Sequence, residues 1–587
     1  MYLRTVRARG GAGLTHEYIR LVESYWEHGQ AKQRVVANLG RKDRLAPHLD
    51  ALVRLLRGDH SVPAARPTRA AVQAEQAACW GPLLVARTLW RGLGLEAILD
   101  ACDDRRHRGE GLPLADRVLV LVANRLCDPQ SEHGLAAWLE TDFVCDRRGR
   151  RVVPQWKPRG RVRVDLTWLQ RWYRTLDALL PHKARIETEL FARLRDLFAL
   201  EVDLVFYDLT STYFEGAGPA DFAVHGYSRD GKPRNRQVLV GVVMINGWPI
   251  AHHVFRGNRH DDQTVGEVLR DLEHRFGLRR VIFVGDRGMV TTANLATLRA
   301  RRHGYLVGLH RRRREEVFAL IRRATGPWLE CPVGITAREQ GPAPPKTLVQ
   351  EVAADEPGVR IFVVHSDERA AYERAMRERD MARTRVALER LARRVATGRL
   401  RAPEKIGEAA GRILTRHHGH RYYGWTLQDG VVRFVEHPVH FAREQAFEGK
   451  YVIRTEEPHL TPVEAVQAYK ELSEVERAFR ELKDVIELRP IYHRRKERVQ
   501  AHIFIAALAF LLDRALEKKL KAARVAMSAA EALKALRTVH VVDLVVGPTR
   551  KRGVTGGSAR ARQVLAALDI TEREPPGSPE TQAMATC

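Results

Sequence analysis

The feature that most restricts the fold is the run Glu201–Tyr213, EVDLVFYDLTSTY, where β-branched and aromatic residues fill both alternating positions. A strand that is apolar on both faces has to be covered on both faces, so it belongs at the centre of a layered domain. Asp208 interrupts it. Strands are predicted next at Gln237–Ile245 and Ile250–Arg256, joined through Asn246-Gly247, a pair that strongly favours a tight hairpin. A helix over Gln263–Phe276 leads to Arg280–Asp286, RVIFVGD, another apolar strand ending in a carboxylate. A helix (Thr292–Arg301) and a strand (Gly304–Leu309) follow. That order reads as α/β: a mixed sheet with helices on its faces.

A second stretch complements the first. Tyr469–Lys483, YKELSEVERAFRELK, has no Pro or Gly and is rich in strong helix formers. Seven residues advance a helix by nearly two turns, so Tyr469, Glu476 and Lys483 share one stripe, with Leu472, Phe479 and Arg480 beside it. Glu476 is thus expected between cations on a largely apolar face. An amphipathic helix with a simple Glu476–Arg480 pair accounts for the same residues. Two apolar strands each deliver an Asp, and this helix delivers Glu476. Three carboxylates converging at the end of a sheet make a hard oxygen site suited to Mg²⁺ or Mn²⁺, and two such ions serve in-line phosphodiester chemistry.

The charge agrees with that chemistry. Lys and Arg outnumber Asp and Glu by 98 to 72, a net +26, which predicts a polyanionic partner, usually nucleic acid. The apolar run Ile503–Leu512 is too short to span a membrane and suits a buried helix. The N-terminus, MYLRTVRARGG, has no apolar signal core. Six scattered cysteines without a CxxC pair indicate neither a disulfide framework nor a zinc module. A soluble, cytoplasmic chain with no membrane association is expected.

The predicted organisation has six parts. Residues 1–65 form a small strand-rich module, with a helix at Leu45–Leu56 and a linker at His60–Pro67. Residues 66–200 are helical and interrupted by a basic patch at 147–163 around Trp156; this is the expected DNA-end-binding region, although the patch equally suits a solvated loop. The sheet occupies 201–310 and resumes at 450–545, with a strand-and-helix insertion at 311–449 between them. A basic, largely disordered tail is expected over 546–587.

These residues resemble the DDE transposases of bacterial insertion sequences, in the IS4-type group and most closely its IS1634-like branch. The resemblance rests on YDLTSTYFEG (207–216), HGYSRDGKP (225–233), GDRGM (285–289) and the spacing Y-x2-L-x3-E-x6-K at Tyr469, Leu472, Glu476 and Lys483. RPIYHRRKERVQAHIFIAALAFLL (489–512) completes it, and VESYWEHGQAKQRVVANLG near the N-terminus resembles the group more loosely.

The resemblance implies an RNase H-like core in which Asp208, Asp286 and Glu476 are the catalytic acids and hold divalent ions. It implies that Tyr469 and Lys483 contact the element's double-stranded DNA end, and that two copies act together on paired ends. Where the group usually carries Arg, this chain has Leu472, so that contact does not carry over; Arg480 lies near the same face. The implied activity is binding of terminal inverted repeats, cleavage at the ends and joining of 3′-hydroxyls to target DNA. The alternatives are an RNase H-like nuclease without strand transfer and an inactive DNA-binding descendant. In related enzymes the insertion helps hold a flipped base, a role for which Trp425 is the candidate here, against packing in a small sheet.

Weaker signals remain. His252, His253, His260, Asp261 and Asp262 resemble a metal cluster, but strand alternation separates the first two, and Asn258 and Asp261 fit a supporting role. His417, His418 and His420 read as a solvated turn. GPTRKRGVTGG (547–557) lacks a phosphate-loop pattern, and its TRKRG is assigned to DNA contact.

Overall fold

A computed structural model describes residues 2–9, 15–27, 30–42, 72–103, 111–153, 157–159, 162–164, 168–198, 204–285, 291–309, 315–332, 345–416, 418–546 and 549–576. The chain forms two compact units, Met1–Leu194 with Glu481–Cys587, and Arg195–Arg480. The second division falls inside a helix, so the residues predicted as the returning half of the sheet region are split between the units.

The first unit opens with an antiparallel sheet of β1 (Tyr2–Arg9), β2 (Thr15–Glu27) and β3 (Gln30–Arg41). Ile19 and Val22 are buried on it, and Arg7 and Lys42 both pair with Glu17. The helix expected at Leu45–Leu56 and the linker at His60–Pro67 lie outside the described residues. The helical region then begins with a strand, β4 (Val72–Cys79). Helices α1 (Gly81–Gly92), α2 (Leu95–Asp100), α3 (Leu114–Cys127) and α4 (Leu135–Thr141) follow. A short hairpin, β5 (Lys157–Arg159) and β6 (Val162–Val164), precedes α5 (Trp168–Leu179) and α6 (Lys183–Phe198). In α3 buried polar groups are tied to backbone: Asn124 Nδ2 donates to Asp128 O at 2.8 Å.

The basic patch is partly structural. Arg147 reaches Asp100 at 2.7 and 2.9 Å and Asp116 at 3.2 Å, and Arg150 Nε donates to Asp146 at 2.8 Å. Arg151 donates to the carbonyls of Leu139 and Asp142. Trp156 lies outside the described residues.

The second unit is built on one mixed sheet. β7 (Leu204–Tyr213), β8 (Gln237–Ile245) and β9 (Trp248–Arg256) form an antiparallel meander. Asn246 (φ 49°) and Gly247 (φ 73°) make the two-residue turn that the sequence predicts, both in the left-handed region a tight hairpin needs. All nine residues of β8 are buried, as a covered central strand requires. After α7 (Val265–Phe276), β10 (Ile282–Gly285) pairs parallel with β7, and after α8 (Thr292–Ala300) β11 (Gly304–Gly308) pairs parallel with β10.

The expected insertion departs from the prediction. α9 (Glu315–Arg323) precedes β12 (Leu329–Cys331), β13 (Thr347–Val352) and β14 (Arg360–Ser366), and these strands join the same sheet. The full order is β12-β13-β14-β17-β11-β10-β7-β8-β9, with β17 (Lys450–Thr455) between β14 and β11. Antiparallel pairing with β17 buries Phe362, Val363 and Val364, which an isolated insertion would leave poorly covered.

The part outside the sheet is α10 (Asp367–Ala396), α11 (Pro403–Arg416) and the hairpin β15 (Tyr423–Gln428) and β16 (Val431–Glu436). α12 (Pro438–Phe447) leads back to β17, and α13 (Pro462–Asp484) ends the unit.

The remaining chain returns to the first unit. α14 (Lys496–Ala522) is long and apolar enough to cross a membrane, yet 89% of its apolar window is buried, and it packs on α3 and α5. It is a core helix, as Ile503–Leu512 predicts. α15 (Ala529–Leu536), capped by Ser528 and Glu531, leads to β18 (His540–Val546), β19 (Thr549–Val554) and α16 (Ala559–Ala567). The sheet β19-β18-β4 unites the two ends of the unit. The expectation of a largely disordered tail from 546 is therefore corrected for 549–576. Val564 and Leu565 are buried, Ser558 caps α16, and Trp80 Nε1 donates to Arg573 O at 2.7 Å.

Candidate active site

The pairing of β7 with β10 brings together the residues that precede two of the candidate acids. The strands run parallel in the register Leu204↔Ile282, Val205↔Phe283, Phe206↔Val284 and Tyr207↔Gly285. The last pair consists of the residues that immediately precede Asp208 and Asp286 in sequence. Asp286 itself lies outside the described residues. Asp208 is half-buried in β7 opposite Val242, and its Oδ1 accepts from the Leu209 N–H at 2.7 Å. Beneath it the Tyr207 ring crosses β8 where Gly241 has no side chain; a Cβ there would meet the hydroxyl oxygen at 2.7 Å. That hydroxyl donates to Thr264 Oγ1 at 3.0 Å, and burial pushes its pKa well up, keeping it protonated.

The third candidate acid, Glu476, stands on α13. One face of this helix is buried through Ala465, Ala468, Leu472, Val475, Phe479 and Leu482, the spacing of an amphipathic helix on a sheet. Tyr469 is half-buried, stacks on Tyr451 with ring centroids 5.7 Å apart, and sets its hydroxyl against Gly308 at the end of β11. Val307, one residue earlier, pairs with Gly285. Lys470 Nζ also donates to Thr347 Oγ1 at 2.8 Å, fixing α13 to the sheet.

Glu476 is exposed, which corrects the expectation of an apolar setting. The stripe it shares with Tyr469 and Lys483 runs along the flank of the buried face. Arg480 is exposed and Lys483 half-buried. Leu472, at the place of the group's usual Arg, is a core residue.

Trp425 is half-buried against Leu391, Val395, Ile406, Ala410 and Val432, the small core between α10, α11 and the β15–β16 hairpin. Tyr422 and Tyr423 are buried beside Leu388. Asp261 pairs with Arg229 at 2.6 Å, and His253 lies 3.3 Å from Asp271, so the His/Asp group near 252–262 is divided among separate partners. Arg552 of TRKRG makes a bidentate pair with Asp543 at 2.7 and 3.0 Å.

Sequence reasoning gave no role to the loop between β7 and β8. There Tyr227 is 83% exposed, in a segment with Arg229, Lys232, Arg234 and Arg236. The Arg229 N–H donates to Ser211 Oγ at 2.9 Å, three residues along β7 from Asp208, and Gln237 Nε2 donates to Tyr227 O at 3.0 Å. An exposed aromatic among cations is the signal that could have marked it.

Two regions of the chain match known protein families. Residues 203–512 match the family described as "Transposase DDE domain", and residues 3–63 match "IS1634 family transposase, N-terminal domain". No curated relative matches the chain. The first match covers more than half of the chain and contains Asp208, Asp286 and Glu476, and the second covers the N-terminal sheet. The chain belongs to the DDE transposases, in their IS1634 branch.

Proposed function

We propose that this transposase binds the terminal inverted repeats of its element, cleaves the DNA ends and joins their 3′-hydroxyls to target DNA. The observation that carries the reading is the parallel register ending at Tyr207↔Gly285, from which Asp208 and Asp286 each follow by one residue. The seating of Tyr469 on Gly308 supports it, because that contact fixes the helix bearing Glu476 to the neighbouring strand.

Asp208, Asp286 and Glu476 are the proposed catalytic acids. A half-buried carboxylate on the sheet and an exposed one on α13 are hard oxygen donors, which fits Mg²⁺ or Mn²⁺. Such ions, two in this reading, supply activation of the attacking oxygen and stabilisation of the leaving one. The chain's own residues do the rest. Lys483 and Arg480, on the same helix as Glu476, neutralise phosphates of the bound end. Tyr469 holds the helix in place and offers its hydroxyl edge to the same strand. Trp425 is proposed to stack on an unpaired base only where its ring emerges from the small core. The net +26 supports duplex DNA as partner, and action on paired ends supports a homodimer in the DNA complex.

The test is a strand-transfer assay with labelled inverted-repeat ends, a target plasmid and Mg²⁺. Joined products support the full reading; cleaved ends that never join would reduce the protein to a nuclease. Asp208→Asn and Asp286→Asn are each expected to lower both steps by more than the roughly 10–100-fold that loss of an outer-shell metal partner costs.

A further inference from the structure

We propose that Glu132, His493 and His502 form a Zn²⁺ site in the first unit, separate from the DDE acids. The three come from distinct places: Glu132 from the loop after α3, His493 from the segment leading into α14, and His502 from α14 itself. His493 and His502 are buried and Glu132 is nearly so. His493 Nε2 lies 3.3 Å and His502 Nδ1 3.6 Å from Glu132 Oε1, and all three ligand atoms fall within 4.8 Å of one another. With zinc–ligand bonds of about 2.0–2.1 Å, a tetrahedral edge is about 3.3–3.4 Å. The edges of 3.3 and 3.6 Å are compatible with ligands around a shared cation.

The hydrogen-bond inventory points the same way. His502 Nε2 lies 3.4 Å from the carbonyl of Leu488, while Nδ1 faces the Glu132 carboxylate. A neutral imidazole carries one proton. Placed on Nε2, it leaves Nδ1 as a lone pair against a carboxylate; placed on Nδ1, it leaves Nε2 against a carbonyl. A cation between Nδ1 and Oε1, whether a metal ion or a second ring proton, resolves both contacts; with a metal the Nε2 proton is directed at Leu488 O as an orienting bond of the kind metal-ligating histidines make.

A cavity of about 10 Å³ adjoins the group, lined among others by Gln130, Glu132 and His502. It has room for about one water, enough for a fourth ligand and too little for a co-substrate. This favours a structural zinc over the open iron sites that two histidines and a carboxylate also build. The ion would clamp the segment before α14 to the loop after α3. Arg125 lines the same cavity and donates to Glu487 O at 3.2 Å; its charge weakens cation binding, so Arg125→Gln is expected to bind Zn²⁺ more tightly.

The test uses the full chain, stripped with chelator and titrated with Co²⁺ and with Zn²⁺. One equivalent of Co²⁺ is expected to give the intense visible absorption of a tetrahedral site, and Zn²⁺ to raise the Tm. Glu132→Gln and His493→Gln, folded by circular dichroism, should lose at least tenfold in affinity, whereas Asp208→Asn and Glu476→Gln should not. X-ray absorption of Zn²⁺-loaded wild type reports the ligands without any variant, with two imidazoles and oxygen expected. Folded wild type that shows no saturable tetrahedral band, or variants that bind as wild type does, would overturn the proposal.

Discussion

The hydroxyl of Tyr469 lies so close over Gly308 that a methyl group on that glycine would sit 2.1 Å from its oxygen. The ring is held from the other side by Tyr451. A glycine at the end of β11 is thus what lets the Glu476 helix approach the sheet. Gly308→Ala is expected to destabilise the protein by about 1–3 kcal/mol, the usual cost of overpacking. In a Tyr469→Phe background the cost should shrink without vanishing, because the ring carbon Cζ would still be 2.8 Å away. Urea unfolding of the four proteins measures the coupling; equal costs in both backgrounds would refute it.

Arg147 is expected to matter for stability rather than for DNA. Its guanidinium pairs with Asp116, which is buried, and with Asp100. Burial raises the Asp116 carboxyl above its ordinary value against the pull of Arg147, so removing the cation leaves a buried acid uncompensated. Arg147→Gln should cost about 3 kcal/mol in unfolding free energy and leave the salt dependence of end binding unchanged. A shallower salt slope with unaltered stability would return this residue to the DNA surface.

Asp271 predicts a pH effect in the second unit. Burial raises its pKa, but the His253 ring 3.3 Å away and the paired Arg275 guanidinium outweigh that and hold it at about 2. A depressed carboxylate stabilises the fold above its unfolded value, near 3.8, and loses that contribution as pH falls toward 2. The contribution is about 2 kcal/mol at pH 5, with roughly half gone by pH 3. The stability gap between wild type and Asp271→Asn should therefore narrow between pH 5 and pH 3. A gap independent of pH would contradict the assignment.

Trp425 is placed to separate packing from stacking. Its ring covers the small core of α10 and α11, so Trp425→Ala should cost about 2–4 kcal/mol locally. Trp425→Leu should recover most of that. Hydrogen exchange in α11 reports the packing, and end cleavage by the stable Leu variant reports the stacking. If the Leu variant restores both, the base-stacking role is excluded.

What could be read from the sequence was what local chemistry encodes. β7 announced itself through apolar residues on both faces, and the hairpin through Asn246-Gly247. The Tyr469–Lys483 part of the helix Pro462–Asp484 followed from an uninterrupted amphipathic run, and its first two turns were not read. What was missed depends on partners distant in sequence. Nothing within residues 347–366 says that β14 will pair with β17, and nothing within 72–79 says that β4 will pair with β18. In the C-terminal stretch, basic composition concealed a strand whose Arg552 is matched by Asp543 across the ladder. The setting of Glu476 was misjudged because the buried face is centred on Ala468, Leu472, Val475 and Phe479, and the stripe of Tyr469, Glu476 and Lys483 runs along its flank and not its middle.

We propose that Glu476 acts in chemistry and not in the fold. The most direct measurement compares wild type with Glu476→Gln on supercoiled plasmid carrying the element's ends, in Mg²⁺, scoring binding and cleavage separately. The exposed position predicts equal folding and equal end binding, with cleavage reduced well beyond 100-fold. Equal cleavage by the two proteins would show Glu476 to be an ordinary surface residue of α13.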